Sequence, residues 1–457
     1  MYDKCKQVST RLTGTFKDKV LRMALRNAQR IIIMTKISNK FWENCLSLNG
    51  FARQIIASIH SSSLVISLLS LLFSASLQAG TLEQAKRIHE RLAGVPPSKT
   101  VLLNMKNKLD NGDGTGAALD AIENSFFYTV TLKNFVTPWT NEAETVFAPL
   151  NDYSATVIGI IRDDIDFREI LSGDILYVGD PSLNIPSYAN TSNAHYQALE
   201  DQHLDLKQNL VKTTQSAVTS IPAEATAGIT TTRAAAQAFF IDGTNRAMFR
   251  FTLKNQLCTD LEPIKDITRS PDRIRQDVSR SPGGDSRIFL NNCIGCHSGM
   301  DPMTQAFAYY NFTYDSTNDP DATNGRLSYN SQGTIDPDTG SRVQKKYHIN
   351  TDNFKFGYIT ENDHWDNYWR FGPNANLGWS STLTGTGDGA KSMGKELANS
   401  QAFASCQVKK VFENVCLRQP VDTADRTQIA SMTQSFQSNN YRLKQVFAES
   451  AVYCMGD

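Results

Sequence analysis

The sequence has no second C-x-x-C to accompany the one at Cys293 and Cys296, and this argues against a structural zinc site, which takes four ligands, usually as two such pairs. Nor does that pair sit at a strand-to-helix turn of a βαβ unit, the setting of thioredoxin-like dithiols. No long membrane-spanning run stands out: the apolar stretch Leu64–Phe73 is well short of the roughly 20 residues that cross a bilayer. Positive charge is not in excess, with 46 Lys/Arg against 46 Asp/Glu. Residues 1–79 hold 11 Lys/Arg and 3 Asp/Glu, so the remainder carries 35 against 43 and is mildly acidic. Nucleic acid is therefore not an expected partner.

What is there first is an export signal. Leu64–Phe73 reads as the apolar centre of a secretory signal peptide, followed by small and polar residues up to Gln78-Ala79-Gly80. Cleavage after Ala79 fits, although Leu77 departs from the small-x-small rule. The stretch before it is longer than a signal peptide needs, and Met34 is an internal methionine that would shorten it. The chain is expected in the periplasm or on the cell surface of a bacterium, touching a membrane only through an uncleaved leader.

The stretch Asn291-Asn-Cys-Ile-Gly-Cys-His-Ser-Gly-Met-Asp-Pro302 contains C-x-x-C-H, the covalent haem attachment signature. Two thiols at this spacing can each add to a vinyl group of one haem, and the histidine that follows is held beneath the iron as an axial ligand. Cys293, Cys296 and His297 are thus the expected attachment residues for one covalent haem c. With Cys5 and Cys45 in the leader and Cys293 and Cys296 taken by the haem, four cysteines remain for an oxidising compartment. Cys406 and Cys416 fall on one expected helix, roughly 15 Å apart, too far to bond. Cys416 and Cys454 end the first and third of three up-down-up helices, so the expected pairs are Cys416–Cys454 and Cys258–Cys406.

Periodicity makes the chain mainly α. Leu82, Ala85, Ile88 and Leu92 predict a helix, Gly94–Ser98 a turn, and Ser98 the N-cap of a second helix with Val101, Leu102 and Met105. Boundaries fall at 1–79 (extension and signal peptide), 80–225 (helical N-terminal domain), 226–390 (haem c-binding region) and 391–457 (three-helix module). His89 lies among charges, and His195 and His203 on a polar helical run, so all three read as surface residues. Asp301-Pro302 reads as a helix opening with Pro at the first position. Residues 315–389 form a long irregular segment containing Trp365, Trp369 and Trp379, too aromatic for a linker and suited to covering an apolar partner. The last helices are predicted at 392–417, 423–437 and 441–453.

These residues together resemble a family of exported, haem-binding-type proteins of planctomycetes and other bacteria. The likeness is carried by Cys293-Ile-Gly-Cys-His-Ser-Gly-Met-Asp-Pro-Met-Thr-Gln-Ala-Phe307, with Gly228-Ile-Thr-Thr231 and Leu257-Cys-Thr259 upstream. Downstream it continues in Leu397-Ala-Asn-Ser-Gln-Ala-Phe-Ala-Ser-Cys406 and Arg418-Gln-Pro420. Thr304 stands where the family pattern has glycine. The resemblance implies a cytochrome c-like helical haem domain behind the helical N-terminal domain. It leaves the reaction undefined.

Met300 and Met303 follow His297 so closely that they stay on its side of the iron, so a sixth ligand must come from elsewhere. Met393, after the glycine-rich 385–389 loop, is one candidate; His348 and His364 are the others. With a sixth ligand the expected function is one-electron transfer to a redox partner protein in the cell envelope. With an open iron it is a haem enzyme such as a peroxidase, an oxidase or a dehydrogenase subunit. A third reading is a structural or binding protein stabilised by haem.

Overall fold

A computed structural model describes residues 80–241, 243–274, 286–348 and 357–456. The leader, with Leu64–Phe73, Met34 and the cleavage site after Ala79, lies outside the described residues. The N-terminal helices form where the periodicity places them. Helix α1 (Thr81–Ala93) buries Ala85, Ile88 and Leu92 on one face and stops at Gly94, whose φ of 71° lets its N–H reach Glu90 O. Helix α2 (Lys99–Asp110) starts at Ser98, whose hydroxyl accepts from Val101 N, and α3 (Gly114–Ile122) starts at Asp113 in the same way. Helix α4 (Asp152–Arg162) is buried on every side from Asp152 to Ile161 and opens with a reciprocal Asn151–Ser154 capping box. It is the helix around which the first part of the chain packs.

Two histidines correct the surface reading. His89 is only 1% exposed, because the chain turns back after Gly94 and brings Val95 O to 2.8 Å from His89 Nδ1. Strand β1 (Leu176–Gly179) is followed by α5 (Ala194–Asp201), and His195 at the start of that helix is 4% exposed. Its Nε2 accepts from Gly179 N at 2.7 Å, and its Nδ1 lies 2.7 Å from Pro186 O. The ring thereby pins the intervening loop, a tertiary role invisible in its polar neighbours. His203 is exposed, as expected.

Strand β2 (Leu210–Thr213) pairs antiparallel with β1. Helix α6 (Arg233–Phe239) directs its first N–H groups at the buried carboxylate of Asp152, at 2.6 and 2.9 Å from Arg233 N and Ala234 N. Helix α7 (Arg246–Thr252) continues through a π turn to Leu257 and ends at Cys258 in the left-handed conformation, φ 53°. Helix α8 (Ile294–Thr304) carries the C-x-x-C-H residues after a π turn at Phe289–Cys293. Pro302 is its ninth residue and not its first. Pro302 therefore leaves the Ser298 carbonyl without its intrahelical donor, and the helix tightens into a 3-10 turn at Gln305–Phe307 just beyond.

The aromatic segment holds two short antiparallel pairs, β3 (Tyr310–Thr313) with β4 (Arg326–Tyr329) and β5 (His364–Asp366) with β6 (Thr386–Asp388). Trp365 and Trp369 are buried, and Trp379 donates its indole N–H to Trp369 O at 2.9 Å. The long helix expected from 392 is two helices, α9 (Gly389–Ala398) and α10 (Gln401–Cys416). Ser400 interrupts them because its hydroxyl accepts from Phe403 N, making it the cap of a new helix. Helices α11 (Thr423–Ser438) and α12 (Leu443–Tyr453) follow.

Both expected disulfides form, Cys258–Cys406 and Cys416–Cys454, with Cα separations of 5.2 and 5.5 Å. Residues Ala79–Asp457 make one compact unit, and a continuous apolar core runs from Ala85 on α1 to Cys454 beyond α12. The fold is mainly helical. Among the described residues no helix is long and apolar enough to cross a membrane.

Candidate functional site

Cys293 closes the π turn, and Cys296 and His297 occupy the first turn of α8. Positions i, i+3 and i+4 lie on one helical face, so the two thiols and the imidazole are neighbours. Cys293 and Cys296 are unpaired and half-buried, whereas the other four described cysteines form the two disulfides. Cys296 Sγ lies 3.6 Å from Leu261 O. Burial pushes its thiol up, the Glu262 carboxylate adds to this, and the Lys265 ammonium opposes it.

His297 is held from two sides. Its ring tilts against Phe289 with centroids 5.0 Å apart, and its Nδ1 lies 3.1 Å from Asp301 Oδ1, one turn further along α8. A carboxylate only accepts, so Nδ1 carries a proton in this contact, which in the neutral ring makes Nε2 the nitrogen able to ligate. Asp301 is fully buried and also takes the Arg246 fork, Nε to Oδ1 at 2.8 Å and Nη2 to Oδ2 at 2.6 Å.

The rest of α8 is clamped. At Gly299 a Cβ would stand 2.0 Å from Trp369 Nε1, so the indole sits directly on the helix backbone, with Phe249 stacked on it at 5.9 Å. The loop after Cys258 binds the helix through Asp266 N to Gly295 O at 2.8 Å and Ser298 Oγ to Asp266 O at 2.9 Å. Asn374 Nδ2 ties that loop to the aromatic segment through Ile264 O at 2.7 Å.

These residues fit the group the motif implies. Two thiols and one imidazole nitrogen are presented together. Ile267, on the clamping loop beside Gly295, is 79% exposed, and Ile288 and Leu290 are exposed on the turn leading to Cys293. Such apolar side chains are the cover a macrocycle needs.

The remaining sequence candidates have surroundings of their own. Met393 is buried in the main core on α9, which packs against residues 305–307 at the far end of α8. His348 has its Nε2 2.8 Å from Thr360 O. His364 has Nδ1 2.8 Å from Asp388 Oδ1 and Nε2 3.1 Å from Thr386 Oγ1. The strand β5 that carries His364 packs against α8, and no three His, Cys, Asp or Glu side chains among the described residues cluster as a metal site. Met300 and Met303 are buried in the core.

Arg246 and the acceptor role of Asp301 escape a sequence reading. The i, i+4 spacing of His297 and Asp301 is a signal that could have found the second. Nothing local points to Arg246, on another helix. No known protein family, curated protein or solved structure matches the chain.

Proposed function

We propose that this chain is an exported bacterial c-type cytochrome in which Cys293 and Cys296 attach one haem through thioethers and His297 is the proximal ligand. Its role is one-electron transfer with a redox partner protein in the periplasm or at the cell surface. One observation carries this reading. The only described cysteines left unpaired are those on the face of α8 that also presents His297, whose Nδ1 is already engaged so that Nε2 is available. When bound, the haem supplies the one-electron couple. The protein's residues hold it, orient the imidazole and cover it.

A second reading draws on a specific observation. Met393 lies in the core, and His348 and His364 each have a ring nitrogen engaged with another group, so a sixth ligand from this set requires local rearrangement. That favours an open iron face and a haem enzyme. The full chain, produced in a host that matures c-type cytochromes, should keep haem through denaturing electrophoresis, and the Cys293→Ala/Cys296→Ala variant should lose it. A wild-type chain without covalent haem would refute the proposal. A spectrum insensitive to carbon monoxide supports electron transfer, and rapid binding supports the open site.

A further inference from the structure

We propose that Asp301 and Arg246 are paired positioning residues that set the electron-donating strength of His297 in opposite directions, an inference that rests on the haem reading above. The geometry is specific. Asp301 lies on the same helix as His297, one turn on, and is wholly buried, so its distance from the imidazole is set by the helix and not by a mobile side chain. Its Oδ1 is shared between His297 Nδ1 and Arg246 Nε, while Oδ2 faces Arg246 Nη2. Arg246 reaches in from α7, a separate helix, and its side chain is 21% exposed.

The physical consequence follows from hydrogen bonding to a ligand's far nitrogen. A carboxylate that draws the Nδ1 proton toward itself makes Nε2 a stronger base, and a stronger base favours the oxidised, more positively charged metal. A backbone carbonyl in the same place would do this weakly, because it carries no net charge. The guanidinium acts against the effect: its two hydrogen bonds draw charge off Asp301 and so limit what reaches the ring. The pair therefore works as a pull and a restraint, and the two halves are separable by substitution. A merely structural role lacks this property, since loosening the site from either side would move its properties the same way.

The test uses the full chain matured with haem, and reads the midpoint potential by titration against mediators. Asp301→Asn keeps the shape of the side chain and removes its charge; it should shift the one-electron equilibrium toward the reduced form by about tenfold or more, which is ~59 mV for one electron. Arg246→Gln should shift it the other way, by at least threefold, and Arg246→Lys should fall between that variant and wild type. Shifts of the same sign, or both variants within threefold of wild type, would overturn the inference while leaving the haem reading intact. Should Asp301→Asn fail to fold or to take up haem, Arg246→Gln at its partly exposed position decides alone, and the absence of a shift toward the oxidised form overturns the proposal. A wild-type chain without thioether-bound haem overturns both readings together.

Discussion

The C-terminal helices and the C-x-x-C-H turn handle the same residue types in opposite ways. On α10 and beyond α12 the cysteines are paired and almost wholly buried, and the side chains around them are fully enclosed in the main core. At the start of α8 the two cysteines are unpaired and half-buried, and Cys293 packs against a small separate cluster of Ile274 and Phe289. Apolar side chains beside them, Ile267, Ile288 and Leu290, face outward. One region closes on itself; the other is held rigidly from behind and presents its face. The difference separates cysteines that cross-link the chain from cysteines left unpaired on a partly exposed helix start.

Removing each pair in turn should sharpen that contrast, and the largest effect belongs to the longest loop. Cys258–Cys406 joins residues 148 apart, and by chain entropy Cys258→Ala/Cys406→Ala should lower unfolding free energy by up to about 5 kcal/mol. Cys416–Cys454, 38 apart, should contribute up to about 4 kcal/mol by the same measure. Denaturant titration of the oxidised chain checks both, and a larger loss from the shorter loop would break the ranking. Gly299→Ala forces a methyl into the buried Trp369 ring and should cost about 1–3 kcal/mol, the usual range for overpacking. A neutral result there would mean that α8 is not held from behind.

Acidification should give a smaller loss. Burial holds both His89 and His195 below the ordinary histidine range, with the Val95 and Pro186 carbonyls opposing it. Their stability contribution is therefore complete above about pH 6.5, the unfolded value, and is lost as pH falls toward the depressed folded values. For His195 the cause is visible: a proton on Nε2 would meet the Gly179 N–H that this nitrogen now accepts. Thermal melts from pH 7.5 to 5 should decline, and His195→Gln should flatten part of that decline. The smallest effect is expected from Cys293→Ala/Cys296→Ala in the haem-free chain, within about 0.5 kcal/mol of wild type, the range for substitutions away from a packed core. A loss like that of the disulfides would erase the distinction between the two regions.

Local signals were legible in the sequence and tertiary ones were not. Helices α1 and α2, the Ser98 cap and both disulfide pairings follow from periodicity, turn residues and the ends of helices. Cys293, Cys296 and His297 stand out because their chemistry requires adjacency in the chain. The burial of His89 and His195 is not legible locally, because their partners, Val95, Pro186 and Gly179, reach them only when the chain folds back. Ser400 looked like a helix interior residue because the periodicity on either side continues across it. Arg246 belongs to the site through an ion pair spanning 55 positions, beyond the reach of spacing arguments.

The indole seated on Gly299 also bears on the order of events during synthesis. Helix α8 leaves the ribosome well before Trp369, so the C-x-x-C-H face emerges before the indole can cover Gly299. Until residues 365–369 dock, the helix is held by its earlier partners, the Arg246 fork on Asp301 and the loop carrying Asp266. Once the ring is in place against a backbone without a side chain, it adds a further hold on the helix and fixes the aim of the face. That docking is the last of these contacts to become possible in chain order.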